Sequence, residues 1–596
     1  MLTLIRSILY RILLLLILLI VICCLCALGL WIWLQFGIIP ILILLFLWAT
    51  SQKQLGRSTS LGSARMANLI DILKSGLHRP DGFLLGEATN LSRLNLKQRL
   101  SALLFMPLWA STEALCITFA RATKLQPIYL PMHRSCHAVH YASTGGGKTA
   151  GVVIPNALLD QHGIFVLDAS AEILRATAGT RQTQFGQRII VLDPTSMLDD
   201  GVIADSFNPL SWVKASDPQH FEHCRAMAGA LITKTKHEMQ PHFPDAAQMM
   251  LQGAIYTITK YFPVAQRTLT HLRRIFSRPP ELEALILTME QCAATDPQLA
   301  NFAGQFRMPV GRERASIFTT LLVQTQWLDS PNVASSIATT NFSLNDLLED
   351  RLSIYLLLGP ENMKSFQGYI RLVFTSLTRF VFAQGPSRSR RVHFYLDEIA
   401  SAGPNLESYY SLLKEGRKYG CRFFSFYQSV TQLAENFTES QIQDFHANTA
   451  AMVTAIRDRT TAEHCSKWIG RFTAVANSKQ SNASSSYGHS WSTQSLNYNH
   501  NWSHSSSTGG QETVRDLYQP EEILRMSQTT TFILMPHMPA ILARPVFYFK
   551  HAILRRLSSL RWKFQTTIPY AEKADPLLLE HQPLPSQETD LLQSDE

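Results

Sequence analysis

The stretch His137–Thr149 reads HAVHYASTGGGKT, an apolar run followed by a glycine-rich turn that ends in Lys-Thr. This is the pattern of a strand leading into a phosphate-binding loop, with Ala142 in the place of the usual first glycine. In such a loop successive backbone N–H groups turn toward the phosphates, Lys148 reaches the β- and γ-phosphates, and Thr149 ligates Mg²⁺. The pattern predicts a site for ATP and Mg²⁺ built from Ala142, Ser143, Thr144, Gly145, Gly146, Gly147, Lys148 and Thr149.

A second acidic element lies far along the chain, where Val392–Glu398 reads VHFYLDE. An apolar strand that ends in two adjacent acids is typical of the Walker B element of P-loop ATPases. Asp397 is then predicted to hold Mg²⁺ through water, and Glu398 to polarise the attacking water. A glycine-rich turn is common on its own, and Asp-Glu after a strand is also an ordinary helix N-terminus. Both ordinary explanations would have to hold together for the two motifs to be unrelated to nucleotide binding, so we interpret the chain as a P-loop ATPase.

Short apolar runs alternate with longer helical patterns around these two motifs. Because the runs are almost continuously apolar, we expect strands buried on both faces of a largely parallel sheet covered by helices. Gln428 follows one of these runs at the ligand edge of such a sheet, where it either senses the γ-phosphate or merely caps the strand. The predicted strands are Gly163–Asp168, Arg188–Asp193, Ser353–Leu358, Val392–Leu396, Cys421–Tyr427, Ala450–Ala455 and Thr530–Met535.

Helical periodicity alone marks the chain between Trp212 and about Asn345. A block of this kind between strands of one sheet predicts an inserted all-α domain. Its predicted helices are His220–Thr233, Ala246–Tyr261, Thr268–Phe276, Glu281–Cys292 and Arg312–Trp327.

The N-terminal region has a different character from the rest of the 596 residues, of which 17% are charged. From Ile12 to Thr50 the sequence contains no Asp, Glu, Lys, Arg or His. As a helix this run would be about twice as long as a ~30 Å hydrocarbon core, which favours a hairpin of two spans over one span. Arginines and lysines on both flanks place both ends in the cytoplasm. The alternative is a cleaved signal peptide, but the apolar region of a signal peptide is much shorter than this run. The run also argues against a simple soluble enzyme.

Charge is unevenly distributed along the chain, whose net charge is +9. The last 26 residues, 571–596, carry −6, so the preceding chain carries +15. A basic surface attracts a nucleic-acid backbone, or anionic lipid near a membrane anchor. The acidic tail is predicted to be disordered, and either recruits basic partners or only solvates the chain.

Residues 478–511 are rich in Ser, Asn and His with interspersed Tyr and Trp, which predicts a long low-complexity loop. The aromatic rings of this loop would offer stacking surfaces to single-stranded bases.

Beyond the Walker pair, the sequence resembles the type IV coupling proteins, the TraG-type ATPases of conjugation and type IV secretion. The resemblance extends from the apolar N-terminal region to about residue 550. It implies a two-helix inner-membrane anchor, a RecA-like motor domain, a membrane-distal all-α domain and a hexameric ring that handles nucleoprotein or protein substrates. The matching segments are 62–67 (GSARMA), 83–86 (FLLG), 153–156 (VIPN), 166–168 (VLD), 191–194 (VLDP), 207–210 (FNPL), 416–420 (GRKYG) and 428–433 (QSVTQL).

Two positions qualify this resemblance. After Asp168 the family usually continues Pro-Lys-Gly-Glu, whereas this chain reads ASAE at 169–172, so Glu172 is kept and the lysine is lost. Arg417, in the GRKYG segment, matches a position that reaches the nucleotide of a neighbouring subunit in ring motors. It is predicted to act as an arginine finger, which stabilises transition-state charge, or else to be an ordinary surface residue.

Together these features predict a RecA-like α/β P-loop ATPase with an inserted all-α domain and an N-terminal transmembrane hairpin. The resemblance implies a homo-hexameric, multi-pass protein of the bacterial inner membrane, with most of the chain in the cytoplasm. It would drive relaxase-bound single-stranded DNA, effector proteins or both into a type IV channel. The alternatives are a non-hydrolytic docking receptor of the same channel and a chromosome-segregation DNA pump. The predicted segments are the anchor (1–52), the nucleotide-binding domain (53–214 and 346–570), the all-α insertion (215–345) and the tail (571–596).

Overall fold

A computed structural model of the chain describes residues 62–67, 71–72, 75–77, 82–88, 126–131, 137–198, 204–234, 242–387, 389–403, 407–492 and 495–563. The predicted transmembrane hairpin (1–52) and acidic tail (571–596) lie outside these ranges. Inside them, no helix is both long enough and apolar enough to cross a membrane.

An eleven-stranded sheet with the order β2-β1-β13-β12-β9-β3-β8-β7-β4-β6-β5 organises the fold. The strands from β9 to β5 are parallel, and the four from β2 to β12 extend the sheet in antiparallel fashion. The prediction of a largely parallel sheet is therefore confirmed. The strands of this sheet are β1 (Gly82–Ala88), β2 (Gln126–Pro131), β3 (His137–Ala142), β4 (Gly163–Asp168), β5 (Arg188–Leu192), β6 (Leu352–Leu357), β7 (Val392–Leu396), β8 (Cys421–Tyr427), β9 (Thr449–Thr454), β12 (Thr531–Leu534) and β13 (Ile541–Arg544).

The central strands are buried along their whole length because helices cover both faces of the sheet. Alternate side chains enter two cores: Phe165 and Leu167 of β4 face one, and Ile164 and Val166 face the other. Every residue of β3, β4, β7, β8 and β9 is buried. This two-sided burial explains why uninterrupted apolar runs predicted these strands to within one residue at each end.

Helices cover the sheet and also form a continuous block between β5 and β6, which are neighbours in the sheet. Among the described residues, no strand lies between Leu192 and Leu352. The block shares one core with the sheet through residues such as Leu251, Ile255 and Phe302. Its helices are α3 (His220–Leu231), α4 (His242–Tyr261), α5 (Leu269–Ser277), α6 (Pro279–Cys292), α7 (Pro297–Arg307), α8 (Gly311–Gln324), α9 (Pro331–Ser336) and α10 (Asn345–Leu348).

The remaining helices follow the strands of the sheet along the chain. The phosphate-binding loop continues into a π-helical turn, Thr149–Val153, and then into α1. These helices are α1 (Ile154–Leu159), α2 (Glu172–Gln184), α11 (Pro360–Met363), α12 (Gln367–Ala383), α13 (Glu407–Glu415), α14 (Val430–Asn436), α15 (Glu439–Asn448), α16 (Arg459–Ile469), α17 (Pro520–Leu524) and α18 (Ala552–Ser558).

The prediction of a loop over residues 478–511 is wrong. The segment belongs to an antiparallel hairpin of two strands with 22 residues each, β10 (Arg471–Ser492) and β11 (Ser495–Asp516). Ser and Asn content suggested a loop, but the larger side chains near the turn recur at every second position on both strands, which is typical of a strand. They are Tyr487, His489 and Trp491 on one strand and Leu496, Tyr498, His500, Trp502 and His504 on the other. Tyr, Trp and Thr also favour extended backbone. In the observed register Tyr487 pairs with His500, and Trp491 pairs with Leu496.

Candidate functional site

The phosphate-binding loop lies at the carboxyl end of β3, in the middle of the parallel part of the sheet. Gly145 and Gly147 have φ values of 76° and 77°, a left-handed conformation that side chains other than glycine rarely adopt. The Gly146 N–H donates to the carbonyl of Ser143 at 2.8 Å, which closes the turn. The glycines at these positions therefore set the backbone of the loop, as the sequence predicted.

The two acids of the Walker B element lie opposite this loop. Asp397 and Glu398 follow β7, which runs parallel to β3 with β8 between them, so all three strands end at the same edge. The Lys148 Nζ lies 3.0 Å from Glu398 Oε1. The Thr149 hydroxyl donates to Asp397 Oδ2 at 3.2 Å. The structure thus brings together four residues that the sequence places in two distant segments.

The surroundings of the Asp397 carboxylate suit the binding of a cation. Burial raises its pKa to about 7; the nearby Lys148 ammonium opposes this rise, and the charge of Glu398 adds to it. Its Oδ1 atom is buried and has no hydrogen-bond partner among the described residues. A buried acceptor without a donor, next to a threonine hydroxyl, fits a hard cation such as Mg²⁺, which prefers oxygen ligands. Thr149 and Asp397 are accordingly the residues that would hold Mg²⁺.

Gln428 joins the same site from the neighbouring strand. It follows β8, and its Nε2 donates to Glu398 Oε1 at 3.4 Å. Its backbone N–H is bound by the side chain of Gln432 at 2.7 Å, which fixes the start of the turn after the strand. Gln428 therefore touches the candidate catalytic acid directly, and its role as a sensor of the γ-phosphate stays a prediction.

Arg417 does not belong to the same cluster in this chain. It lies in a short 3-10 helix, Gly416–Tyr419, that precedes β8, and it is exposed. The seven residues of β8 separate it from the edge that carries Gln428, a rise of about 23 Å at ~3.3 Å per residue. Arg417 is therefore at the opposite edge of the sheet from Lys148.

Asp168, in the segment where the sequence departs from the family pattern, has a role in local structure. Its Oδ1 accepts from Ser170 N at 3.1 Å and its Oδ2 from Leu174 N at 2.9 Å. These bonds cap the start of α2, and the preceding Ala171 adopts φ 56°. Glu172 lies exposed in the first turn of that helix.

Asn156 is a buried residue whose role sequence reasoning missed. Its Oδ1 accepts from Leu84 N at 2.6 Å, and its Nδ2 donates to Leu84 O at 2.9 Å and to Val152 O at 2.8 Å. It therefore pairs the backbone of β1 with the helical turn that follows the phosphate-binding loop. The match of 83–86 and 153–156 to one family was the available signal, since these two segments meet here.

Asp160 forms a second connection that the sequence did not reveal. It follows α1, and its Oδ2 lies 2.6 Å from His393 Nδ1 and accepts from the Tyr395 hydroxyl at 2.9 Å. Burial opposes its ionisation, but the charges of His393 and Arg181 hold the pKa of Asp160 below its usual value. The helix that begins at the phosphate-binding loop is thus tied to the strand that ends in Asp397.

A parallel α/β sheet with a phosphate-binding loop, a paired Walker B acid and a glutamine at one edge defines a P-loop nucleotide-binding protein. The chain belongs to the family described as type IV secretory system conjugative DNA transfer, which matches residues 120–573. The resemblance to type IV coupling proteins is therefore confirmed.

Individual relatives agree with this assignment. The chain is 26% identical over 429 residues to the type IV secretion system-coupling protein VirD4 of Bartonella quintana, which covers 70% of this chain. It is 27% identical over 424 residues to the conjugal transfer protein TraG of Rhizobium radiobacter, again over 70% of this chain. These alignments span 63% and 62% of the relatives' own lengths.

A solved structure shares the fold. The bacterial conjugative coupling protein TrwBdeltaN70, in its unbound monoclinic form, superposes with a TM-score of 0.50 at 15% identity. The match covers 69% of this chain and 85% of that one. At this identity the likeness concerns the fold alone, which is a mixed α/β fold with a large parallel sheet.

Proposed function

We propose that the chain is a membrane-anchored, ATP-hydrolysing coupling protein that drives substrate into a type IV secretion or conjugation channel. The observation that carries this proposal is the meeting of Lys148, Thr149, Asp397 and Glu398 at one edge of the sheet. A protein that only docks substrates has no need of a general base opposite a phosphate-binding loop. The family and the names of the relatives supply the context of conjugation and secretion.

The chemistry proposed for this site is the transfer of the γ-phosphoryl group of ATP to water. The loop backbone and Lys148 bind the phosphates, and Thr149 and Asp397 are the residues that would hold Mg²⁺. When bound, Mg²⁺ neutralises charge on the β- and γ-phosphates. Glu398 orients the attacking water and accepts its proton, while the bond between the γ-phosphorus and the β–γ bridging oxygen breaks and ADP leaves.

The pair between Lys148 and Glu398 supports a way for nucleotide binding to switch this site on. At 3.0 Å these two side chains neutralise each other, so neither is available for its catalytic role. A triphosphate in the loop attracts Lys148 and frees the Glu398 carboxylate to bind water. Gln428, which also contacts Glu398, then reports the change to the helix that follows β8. The site is thereby silent until ATP enters it.

We further propose that the chain works as a homo-hexameric ring. The placement of Arg417 supports this, because a finger that serves a neighbour's nucleotide must lie away from its own. Relaxase-bound single-stranded DNA, effector proteins or both are the proposed substrates, and channel components are the proposed partners. The predicted hairpin over residues 1–52 would anchor the ring in the bacterial inner membrane as a multi-pass protein, with most of the chain in the cytoplasm.

Two substitutions test the proposed motor. In the full-length chain, Lys148→Ala and Glu398→Gln are expected to abolish ATP turnover and leave membrane insertion intact. Lys214→Ala and Glu349→Gln, which change exposed residues away from the site, serve as matched controls and are expected to retain turnover. Wild-type rates from the purified Glu398→Gln protein would refute the assignment of the base.

The Lys148→Ala variant also distinguishes a motor from a docking receptor when it is tested in cells. A strain that carries Lys148→Ala is expected to lose substrate transfer. Normal transfer in that strain, with the protein present in the membrane, would contradict the motor and leave a docking receptor as the function.

A further inference from the structure

The segment after β13 folds back onto the phosphate-binding loop. It begins at Pro545, and the backbone N–H of Tyr548 donates to the carbonyl of Ala150 at 3.1 Å. The segment therefore runs beside the helical turn that carries Thr149. The Walker motifs do not include these residues, and the mechanism above makes no use of them.

Phe547 lies directly against the loop. A Cβ placed on Gly147 would be 2.7 Å from Cε1 of the Phe547 ring, and one placed on Gly151 would be 3.4 Å from the same atom. The edge of the Phe547 ring thus contacts both Gly147 and Gly151. Glycine is required at position 147 both by its φ of 77° and by this ring.

A second ring extends this surface toward solvent. The centroids of Phe547 and Phe549 are 5.6 Å apart, and Phe549 is 45% exposed. The Lys550 ammonium lies 5.0 Å from the centroid of Phe547 and 5.8 Å from that of Phe549. Since Lys550 is exposed and its side chain has several rotatable bonds, a flat ligand can replace it over either ring.

We propose that Phe547 and Phe549 form a stacking surface for the nucleobase of the bound nucleotide. The inference rests on the proposed nucleotide site and deepens it. A P-loop holds the α- and β-phosphates with its backbone N–H groups, so the ribose and base leave the loop beside the start of its helix. The Phe547 ring lies at that place, between Gly147 and Gly151.

The chemistry of this surface also predicts its selectivity. An aromatic ring offers a π-face to any base and reads no hydrogen-bonding edge. The surface therefore takes adenine and guanine nucleotides with similar gains in affinity. A polyphosphate without a base gains nothing from it.

Equilibrium titration of the full-length chain with ADP, GDP and inorganic pyrophosphate, each with Mg²⁺, tests the proposal without hydrolysis. Phe547→Leu keeps an apolar contact with the loop but removes the ring. It is expected to weaken ADP and GDP binding roughly fivefold to a hundredfold, the range for loss of one base–aromatic stack. Pyrophosphate binding is expected to stay unchanged.

Two further variants separate stacking from support of the loop. Phe549→Leu changes a ring that none of the loop glycines contacts, and a selective loss of ADP and GDP affinity is expected there too. Tyr518→Leu, which removes a ring that packs on Phe532 at 4.9 Å between centroids in the other core of the sheet, is the matched control and is expected to bind all three ligands as wild type does.

Equal losses for pyrophosphate and ADP in Phe547→Leu would show that the ring only supports the loop, and would overturn the proposal. Unchanged ADP binding in both phenylalanine variants would overturn it as well. If the wild-type chain bound none of the three ligands, the proposed nucleotide site itself would be refuted.

Discussion

Asn156 offers a perturbation whose size follows from the structure. Asn156→Leu keeps four side-chain heavy atoms branched at Cγ but removes the three hydrogen bonds to Leu84 and Val152. The N–H and C=O of Leu84, a buried residue, then lose these partners. Each buried backbone group left unpaired costs about 1–3 kcal/mol, so the free energy of unfolding should fall by about 4 kcal/mol.

The substitution should also reach the nucleotide site, because Asn156 fixes the helical turn after the phosphate-binding loop. We expect weaker binding of ADP with Mg²⁺ together with a lower midpoint of urea unfolding, measured on the nucleotide-free chain by tryptophan fluorescence. Asn208→Leu is the matched control. Asn208 is also buried and makes two comparable bonds, to Leu210 N at 3.0 Å and Arg267 O at 2.9 Å, away from the loop.

The control should lose stability and keep its affinity for ADP. The reasoning fails if Asn156→Leu lowers the free energy of unfolding by less than ~1 kcal/mol, since a single unpaired buried group already costs that much. It fails equally if both variants bind ADP as tightly as wild type, because Asn156 would then have no specific link to the loop.

Three further predictions concern the metal, the ring and pH. Asp397→Asn removes the proposed Mg²⁺ carboxylate, so ADP binding should lose its dependence on Mg²⁺ and turnover should fall at least ~100-fold; a normal Mg²⁺ titration would contradict this role. Arg417→Ala should lower turnover about 1000-fold, and mixing it with Glu398→Gln subunits should restore activity, since each variant supplies what the other lacks; mixtures that stay inactive would exclude a finger acting between subunits. Burial and the charge of Lys148 lower the pKa of His140 to about 3. Below pH 6.5, His140 therefore becomes protonated in the unfolded chain but stays neutral in the folded chain. The free energy of unfolding should therefore fall by roughly 2 kcal/mol between pH 6.5 and 5 on account of this residue, and urea titrations of His140→Gln should show a correspondingly smaller loss.

The sequence was sufficient for the residues at the sheet edge because their positions follow from strand direction. β3 and β7 are mostly apolar and contain no Asp, Glu, Lys or Arg, which favours strands buried on both faces of a parallel sheet, and parallel strands present their carboxyl ends at one edge. Lys148 and Asp397 both follow those carboxyl ends, so the sequence could predict that they lie at the same edge of the sheet. The same reasoning placed Gln428 after β8.

Other features depend on contacts that no local pattern encodes. Phe547 touches Gly147 only because the segment after β13 folds back onto the phosphate-binding loop, and this segment has no strand or helix periodicity of its own. The hairpin of β10 and β11 has the composition of a loop, and only the alternation of residue types distinguishes it. β1 has no clear strand pattern of its own, since its short run contains Gly86, which has a φ of 143° at an irregularity in the pairing with β2.

The bond between Asp160 and β7 has a mechanical meaning. Asp160 follows α1, and its Oδ2 contacts His393 and Tyr395 of β7. β7 is in turn hydrogen-bonded to β4 on one side and β8 on the other. The helix that leads from the phosphate-binding loop is therefore fastened to the middle of the sheet, and a displacement of this helix on nucleotide binding would be passed to the strand before Asp397. A change at Asp160 would weaken this coupling without altering any residue proposed to contact ATP.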